Sequence, residues 1–320
     1  MSESQAIIVV GMHRSGTSAL SGCLSELGVF MGNSLYGPQQ GVNEKGFYEN
    51  AALVEFNDDV FDQLLWSWDY PLAECFTSEG LIFSEEVIQK AVSLVSSEYG
   101  SKELWGMKDP RTSLLLPLWQ KALSRLSIKP HFIIMLRNPI EVAGSLRKRD
   151  DFSFDKSLML WLNYTLSSVY QSMDSSYVIV SFDELLDDQN AVTKKLNDEL
   201  QLGLDEVLQQ TQGEFIDKKL RNHKGKSDHT GVLADLSSQL YELLLCKPLD
   251  REKLSQISNA YSQYLKQLSP VLSEHILSVK KEEVHFRTEF YDAYRSTWWK
   301  ISRPLKKVEE FLRDKKSSQD

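Results

Sequence analysis

The stretch IIVVGMHRSGTS, residues 7–18, runs from an apolar segment through a loop bounded by two glycines into a helical pattern. Apolar residues without alternation indicate a strand that is buried on both faces, as in a parallel sheet. The backbone N–H groups of such a loop and the N-terminus of the following helix form a binding site for anions. We therefore predict a strand–loop–helix unit that holds a phosphate group. The alternative is that the glycines serve only the turn before the helix.

The loop matches part of the nucleotide-binding pattern GxxxxGK followed by Ser or Thr. Gly11, Gly16 and Ser18 fit this pattern, but Thr17 stands where it has lysine. Because that lysine reaches the β- and γ-phosphates of a nucleoside triphosphate, its absence argues against hydrolysis of ATP or GTP. Arg14 supplies a positive charge inside the loop instead.

Three further apolar runs predict strands after Ala6–Val10, and helical patterns lie between them. The predicted strands are Leu104–Met107, His131–Leu136 and Tyr177–Ser181. The predicted helices are Thr17–Leu27, Ala51–Leu65, Ser84–Ser97, Ser113–Leu126, Pro139–Arg149 and Phe154–Met173. This alternation is typical of a doubly wound α/β fold. We predict a P-loop-like parallel sheet flanked by helices over residues 1–230 and a helical C-terminal extension over residues 231–320.

The composition excludes several classes of protein. With 320 residues, 42% hydrophobic and 25% charged, the chain is globular rather than disordered. Its formal net charge of −9 argues against a protein that binds duplex nucleic acid over a large surface. Its three cysteines form no CxxC pair, so we expect neither a disulfide scaffold nor a structural zinc site. The start lacks a basic segment typical of a signal peptide, and we expect a cytoplasmic protein, at most attached to the inner face of a membrane.

Two other strand ends carry basic residues. In FIIMLRNP, residues 132–139, Arg137 follows the strand, and Ser145 lies about two turns into a helix that opens at Pro139. Arginine and serine placed in this way could hold one phosphate monoester. The segment Lys108–Arg111 follows another strand, where a solvated, salt-bridged turn is the alternative. Ligands of open α/β sheets bind at the carboxyl ends of the strands, where all these groups lie.

These motifs together resemble the sulfotransferases that use 3′-phosphoadenosine 5′-phosphosulfate (PAPS). HRSGTS, KDPR, and LRNP with a serine eight residues after its arginine occur in that order. In the family, the first loop holds the 5′-phosphosulfate and the R-x7-S segment holds the 3′-phosphate. Residues 43–50, NEKGFYEN, and 215–221, FIDKKLR, are similar to its bacterial branch, and the resemblance extends from Ile7 to His223. Cytosolic members typically carry lysine at the position of Arg14, whereas carbohydrate- and tyrosine-type members tend to carry arginine.

The resemblance implies transfer of a sulfuryl group from PAPS to an acceptor hydroxyl, which we expect to belong to a carbohydrate or glycolipid, without a metal. Arg14 and Lys108 are the predicted electrostatic catalysts, and Glu49 or Glu44 the predicted general base, although either glutamate could instead be a cap or a surface charge. The residues predicted to bind PAPS are His13, Arg14, Ser15, Gly16, Thr17, Ser18, Arg137, Ser145 and Arg221. Asp109 and Arg111 are predicted to bind the substrate.

Alternative functions of the chain, and alternative roles of two of its segments, remain possible from the sequence. The chain could be a small-molecule kinase or NTPase that lost its P-loop lysine, or a non-catalytic module that binds anionic ligands. Trp66, Trp68 and Tyr70 could stack on a sugar or pack in the core. The segment Thr297–Lys316 has seven basic and three acidic residues and an amphipathic pattern. It is predicted either to contact an anionic membrane surface or to pack on its own domain or a partner, which co-sedimentation with anionic liposomes would distinguish.

Overall fold

The computed structural model describes residues 4–37, 46–76, 81–210, 229–268, 270–297 and 299. Four strands form one parallel sheet in the order β2-β1-β3-β4. They are β1 (Gln5–Val10), β2 (Leu104–Lys108), β3 (Lys129–Leu136) and β4 (Ser176–Ser181). All four predicted strands and the α/β fold class are confirmed.

The register of the sheet brings the predicted polar segments to one edge. Val9 lies opposite Lys108 in β2 and opposite Ile133 in β3, and Val10 lies opposite Ile134. Since all strands run in the same direction, the segments that follow β1, β2 and β3 leave the sheet at the same edge. The glycine loop, the KDPR turn and the LRNP segment therefore adjoin one another.

Helices cover both faces of the sheet. The first eight are α1 (Thr17–Glu26), α2 (Ala51–Gln63), α3 (Glu85–Tyr99), α4 (Thr112–Arg125), α5 (Pro139–Asp150), α6 (Phe154–Ser172), α7 (Phe182–Asp187) and α8 (Gln189–Leu200). The six helices predicted between the strands are α1–α6, and the structure places their ends within two residues of the predicted ones. Helices α1, α7 and α8 pack on one face of the sheet, whereas α4 and α6 pack on the other. The side chains that point to the first face alternate along the strands: Ile7, Val9, Ile133, Met135, Val178 and Val180.

Side-chain caps explain where several helices begin. Asn138 accepts a hydrogen bond from the backbone N–H of Ile140, and Pro139 occupies the first turn of α5. The other capping residues are Ser84, Ser153, Ser181 and Asp188. Helix α1 differs, because its N-cap residue is Gly16 and its first turn has no acidic residue. The N-terminal N–H groups of α1 therefore have no carboxylate of their own helix to bind.

The last four helices are α9 (Asp205–Gln210), α10 (Val232–Leu245), α11 (Arg251–Gln267) and α12 (Pro270–Arg295). One compact unit comprises Met1–Phe61 and Ser67–Gln267, and so contains α10 and α11. The second comprises Asp62–Trp66 and Leu268–Asp320 and contains α12. The predicted division at residue 230 stays a prediction, and most of the basic segment Thr297–Lys316 lies outside the described residues. Within the described part of the chain, each helix is too short or too polar to cross a membrane.

Candidate anion-binding site

The loop between β1 and α1 fits closely against β3 and α7. Gly11 and Gly16 have φ angles of 138° and 94°, in the region that favours glycine. A Cβ atom on Gly11 would lie 2.5 Å from the carbonyl oxygen of Met135, and one on Gly16 would lie 2.3 Å from the ring of Phe182. Both glycines are therefore required by the conformation and by the space around the loop.

Arg14 occupies a strained position in this loop and reaches across to α5. Its φ of 70° is left-handed, which costs a non-glycine residue about 1–2 kcal/mol. Such strain concentrates at functional sites, where the surrounding structure maintains it. The Nε atom of Arg14 donates a hydrogen bond to Oγ of Ser145 at 2.8 Å. This bond joins the glycine loop to the R-x7-S segment.

Arg137 makes a second connection between the two segments. Its Nη1 donates to the carbonyl oxygen of Arg14 at 3.1 Å, and its Nε donates to Glu141 at 3.0 Å. The guanidinium carbon lies 4.3 Å from the centre of the Phe182 ring. The structure thus brings Arg14, Arg137 and Ser145 together, although they come from loops and a helix far apart in the sequence.

The cluster carries more positive charge than the sequence predicted. Burial lowers the pKa of Arg14, and the nearby cations Arg149 and Arg137 lower it further. Arg149 was not among the predicted residues. It lies four residues after Ser145 on α5, so the i, i+4 spacing on that helix was the signal that could have found it. This concentration of cations favours an anionic ligand.

Two polar atoms near the loop are buried without a partner among the residues the structure describes. They are Oγ of Ser15 and Nε2 of His13. A buried polar atom without a hydrogen bond costs about 1–3 kcal/mol. Thr17, in contrast, is buried in the first turn of α1, next to the partly exposed Ser18. The donor set around the loop, with its hydroxyls, backbone N–H groups and arginines, fits phosphate oxygens.

Lys108, at the end of β2, forms hydrogen bonds both to Glu49, the predicted general base, and to α1. Its Nζ donates to Oγ of Ser18 at 2.9 Å, to the carbonyl oxygen of Phe47 at 3.0 Å and to Oε1 of Glu49 at 2.5 Å. The side chain of Lys108 is only 2% exposed, and that of Glu49 is 14% exposed. Lys108 therefore fixes the carboxylate of Glu49 close to the N-terminus of α1. The other two predicted residues of this region, Glu44 and Arg221, lie outside the described residues.

Asp109 and Arg111 form a buried network with α2. Asp109 is fully buried, and its oxygens accept hydrogen bonds from Asn57 at 2.8 Å and from Nη1 of Arg111 at 3.0 Å. Arg111 also donates to Asp58 at 2.7 Å. Burial alone would lower the pKa of Arg111, but the neighbouring carboxylates Asp109 and Asp58 outweigh this effect and raise the pKa. Asp109 thus orients Arg111, and substrate binding by these two residues stays a prediction.

The aromatic rings of Trp68 and Tyr164 lie next to His13 in the loop. The His13 ring lies 4.6 Å from that of Trp68, and Arg149 lies 5.2 Å from the Trp68 ring centre. Burial, and then the nearby cations Arg111 and Arg149, lower the pKa of His13 well below its ordinary value, so this imidazole is neutral at pH 7. The hydroxyl of Tyr164 on α6 donates to the carbonyl oxygen of Trp68 at 2.7 Å and holds this segment in place. Trp68 is partly exposed beside the loop.

No known family model matches the chain, and no curated protein matches its sequence. The solved structures that are similar to it include two sulfotransferase domains. One is the sulfotransferase domain from the Synechococcus PCC 7002 olefin synthase, at 14% identity and a TM-score of 0.42, covering 82% of this chain and 96% of that domain. The other is the sulfotransferase domain from the curacin biosynthetic pathway, at 15% identity and a TM-score of 0.41, covering 81% and 98%.

Proposed function

We propose that the chain is a sulfotransferase that uses PAPS as its donor. The observation that supports this most directly is the contact between its two predicted anion-binding segments. Arg14 donates to Ser145 at 2.8 Å, and Arg137 donates to the carbonyl oxygen of Arg14 at 3.1 Å. PAPS carries anionic groups at both the 3′ and the 5′ positions of one ribose, so it needs two such segments side by side.

The residues present fit this donor. The loop from His13 to Ser18 would hold the 5′ end through its N–H groups and hydroxyls, and Arg137 with Ser145 would hold the 3′-phosphate. When bound, PAPS supplies the sulfuryl group and a phosphate leaving group. Arg14 places a fixed positive charge between the two segments, where it stabilises negative charge that builds up during transfer.

Glu49 is the group that would take the proton from the acceptor hydroxyl. Its hydrogen bond from Lys108 fixes one oxygen, and its side chain retains some exposure. Lys108 also donates to Ser18 in the first turn of α1, so the base and the loop are positioned by one buried ammonium group. A non-catalytic binding module would not need this arrangement, which favours an enzyme.

The same ammonium group argues against the kinase alternative. In the P-loop pattern, the serine or threonine after the lysine binds Mg²⁺. Ser18 occupies that position here, but its hydroxyl accepts a hydrogen bond from Lys108 at 2.9 Å. A divalent cation at Ser18 would lie against this positive charge, which would oppose its binding. Thr17 in place of the P-loop lysine points the same way.

For the acceptor, we propose a carbohydrate or glycolipid hydroxyl. The support is Trp68, which is partly exposed beside His13 and Arg149, although Phe152 stacks on its ring. The part of the tryptophan ring that remains exposed can contact the apolar face of a sugar, and the adjacent polar groups can fix its hydroxyls. The test is a PAPS-dependent assay against a panel of cell-derived glycans and small phenols, with the mass of the product as the readout. Sulfated products from the phenols alone would exclude this acceptor class.

Nucleotide-dependent stabilisation tests the donor. We expect 3′,5′-adenosine bisphosphate to raise Tm without Mg²⁺, because a ligand at about 100 times its Kd stabilises the folded state by about 2.7 kcal/mol. Mg·ATP should have little effect at the same concentration. Stabilisation by Mg·ATP alone would support the kinase alternative instead and contradict the proposal.

Removing either half of the predicted 3′-phosphate site should cause a selective loss. Arg137→Ala and Ser145→Ala are each expected to weaken 3′,5′-adenosine bisphosphate binding by about 10- to 100-fold, as expected for a hydrogen bond to a charged group. Binding of 5′-AMP, which lacks that phosphate, should change much less. The difference between the two ligands cancels a modest general destabilisation. Lys148→Ala is the control, because Lys148 is exposed on the same helix. Equal losses for both ligands would show that Arg137 and Ser145 do not contact the 3′-phosphate.

A further inference from the structure

Helix α12 presents two different faces within its compact unit. One face is the less exposed and includes Leu277, Lys280, Val284 and Arg287. Arg287 on this face forms an ion pair with Asp62, which belongs to the same unit. A second face, about 120° away around the helix axis at 100° per residue, lies open.

The open face is unusually apolar for an exposed surface. Val279 is 52% exposed, Phe286 65% and Phe290 56%. Exposed apolar residues are common singly, but a contiguous row of them marks an interaction surface. These residues therefore indicate that a partner covers this face.

The spacing of the residues along this face fits a second helix as the partner. Its positions follow one another at intervals of three, four, three, four and three residues. They are Ile276, which is partly buried, and the exposed residues Val279, Glu283, Phe286, Phe290 and Ala293. This is the heptad repeat by which one helix packs along another helix in a coiled coil, with Ile276, Glu283 and Phe290 at a and Val279, Phe286 and Ala293 at d.

We propose that α12 of one chain pairs with α12 of a second copy, as a parallel, in-register coiled coil. This inference is independent of the proposed activity. A membrane is a poor occupant of the same face, because α12 carries five acidic and four basic residues and so has almost no net attraction for anionic lipids.

The charges beside the stripe select the parallel orientation. In a parallel pair, position g of one helix faces position e of the next heptad on the other helix. Glu282 at g then faces Arg287 of the second copy, whose side chain pairs with Asp62 of its own chain and remains 39% exposed, and the symmetric pair repeats the contact. In an antiparallel pair centred on the same layers, Glu282 would face Glu289, and Lys280 would face Arg287. Charge complementarity therefore favours the parallel arrangement.

Glu283 is the one charged residue on the stripe. In the parallel pair it would face Glu283 of the second copy, which weakens association. Lys280 already donates to Glu283 at 2.8 Å, and Lys280 is only 9% exposed. This neighbouring positive charge reduces the repulsion. A polar residue at a single a position is also a known way of fixing register and the number of helices, at some cost in stability.

The first test measures the mass of the full chain in solution across a range of concentrations. We expect a dimer, about twice 36.7 kDa, by size-exclusion chromatography with light scattering. Phe290→Glu should raise the dissociation constant of the dimer at least tenfold, as for a central interface residue. Tyr291→Glu is the matched control, because Tyr291 is adjacent, aromatic and 51% exposed but lies off the stripe. A monomer at all concentrations, or equal effects of the two substitutions, would overturn the proposal.

The second test addresses the orientation and does not rely on a loss of function. Glu283→Leu should lower the dissociation constant of the dimer, since it removes the repulsion at that position and adds an apolar contact. Ala293→Cys, in a chain whose exposed Cys246 is replaced by serine, should form a disulfide between two copies on oxidation, because parallel d positions face each other. A dimer that Glu283→Leu weakens, or that Ala293→Cys does not cross-link, would contradict the parallel pairing.

Discussion

Arg14→Ala is expected to lower kcat by about 10²- to 10³-fold while the protein remains folded, because one fixed electrostatic donor contributes about that much to transfer reactions. Arg14 is held between two segments by its hydrogen bond to Ser145 and by the bond that its own carbonyl oxygen accepts from Arg137. Burial and the neighbouring cations Arg149 and Arg137 lower its pKa, and Asp150 opposes this shift only in part, so an anionic ligand would add favourable charge here.

Two further variants make this prediction specific. Arg147→Ala is the matched control, since Arg147 is an exposed arginine on α5 and should leave kcat unchanged. Arg14→Lys keeps the charge but loses the planar fork of donors, so its kcat should lie between those of the wild type and Arg14→Ala. If the pure Arg14→Ala protein retains more than about a tenth of wild-type kcat, Arg14 does not stabilise the transition state.

The sheet could be predicted from the sequence because parallel strands leave a local signal. Strands β1, β2 and β3 are buried on both faces and so appear as apolar runs, as in Ala6–Val10 and His131–Leu136, whereas β4 is apolar but only partly buried on one face. The position of Arg14 and Arg137 at one edge then follows from topology alone. The sequence thus placed the glycine loop and the R-x7-S segment in one site, but it did not predict the hydrogen bond between Arg14 and Ser145.

Other parts of the site depend on contacts that no local pattern reveals. Trp68 joins the loop because Tyr164 on α6 holds its backbone, and nothing in the residues 66–70 indicates that partner. Asp109 appears from the sequence to be a polar residue of a ligand site, but Asn57 from α2 and Arg111 occupy its oxygens. The C-terminal extension was predicted to be helical, but the bounds of α12 were not predicted, because charged residues are dispersed among its apolar ones. Contacts between residues far apart in the sequence thus determine the surroundings of Trp68 and Asp109.

Glu49→Gln is expected to lower kcat by about 10²- to 10⁴-fold, the contribution of a general base, with little change in donor affinity. The substitution is nearly isosteric, and a glutamine side-chain oxygen can still accept the hydrogen bond that Lys108 donates to Glu49. The hydrogen bond to Lys108 should therefore persist, while the negative charge of Glu49 and its ability to take a proton are lost. The measurement is kcat with saturating PAPS, together with binding of 3′,5′-adenosine bisphosphate to each variant.

The control is Glu55→Gln, because Glu55 is an exposed glutamate on α2, in the next turn after the predicted base. Glu49→Ala would be harder to interpret, since it removes the carboxylate beside an ammonium group that is only 2% exposed. Loss of one partner of a buried ion pair destabilises a protein by about 3–5 kcal/mol, and reduced activity could then reflect unfolding.

Comparison with Glu44→Gln decides which glutamate is the base. Glu49 is fixed by Lys108 beside the N-terminus of α1, so Glu49→Gln should reduce kcat more than Glu44→Gln. The reverse order would assign the base to Glu44 and leave Glu49 as the partner that holds Lys108 in place. If neither substitution lowers kcat, no carboxylate of this segment takes the proton, and the network around Lys108 serves only to hold the loop after β1.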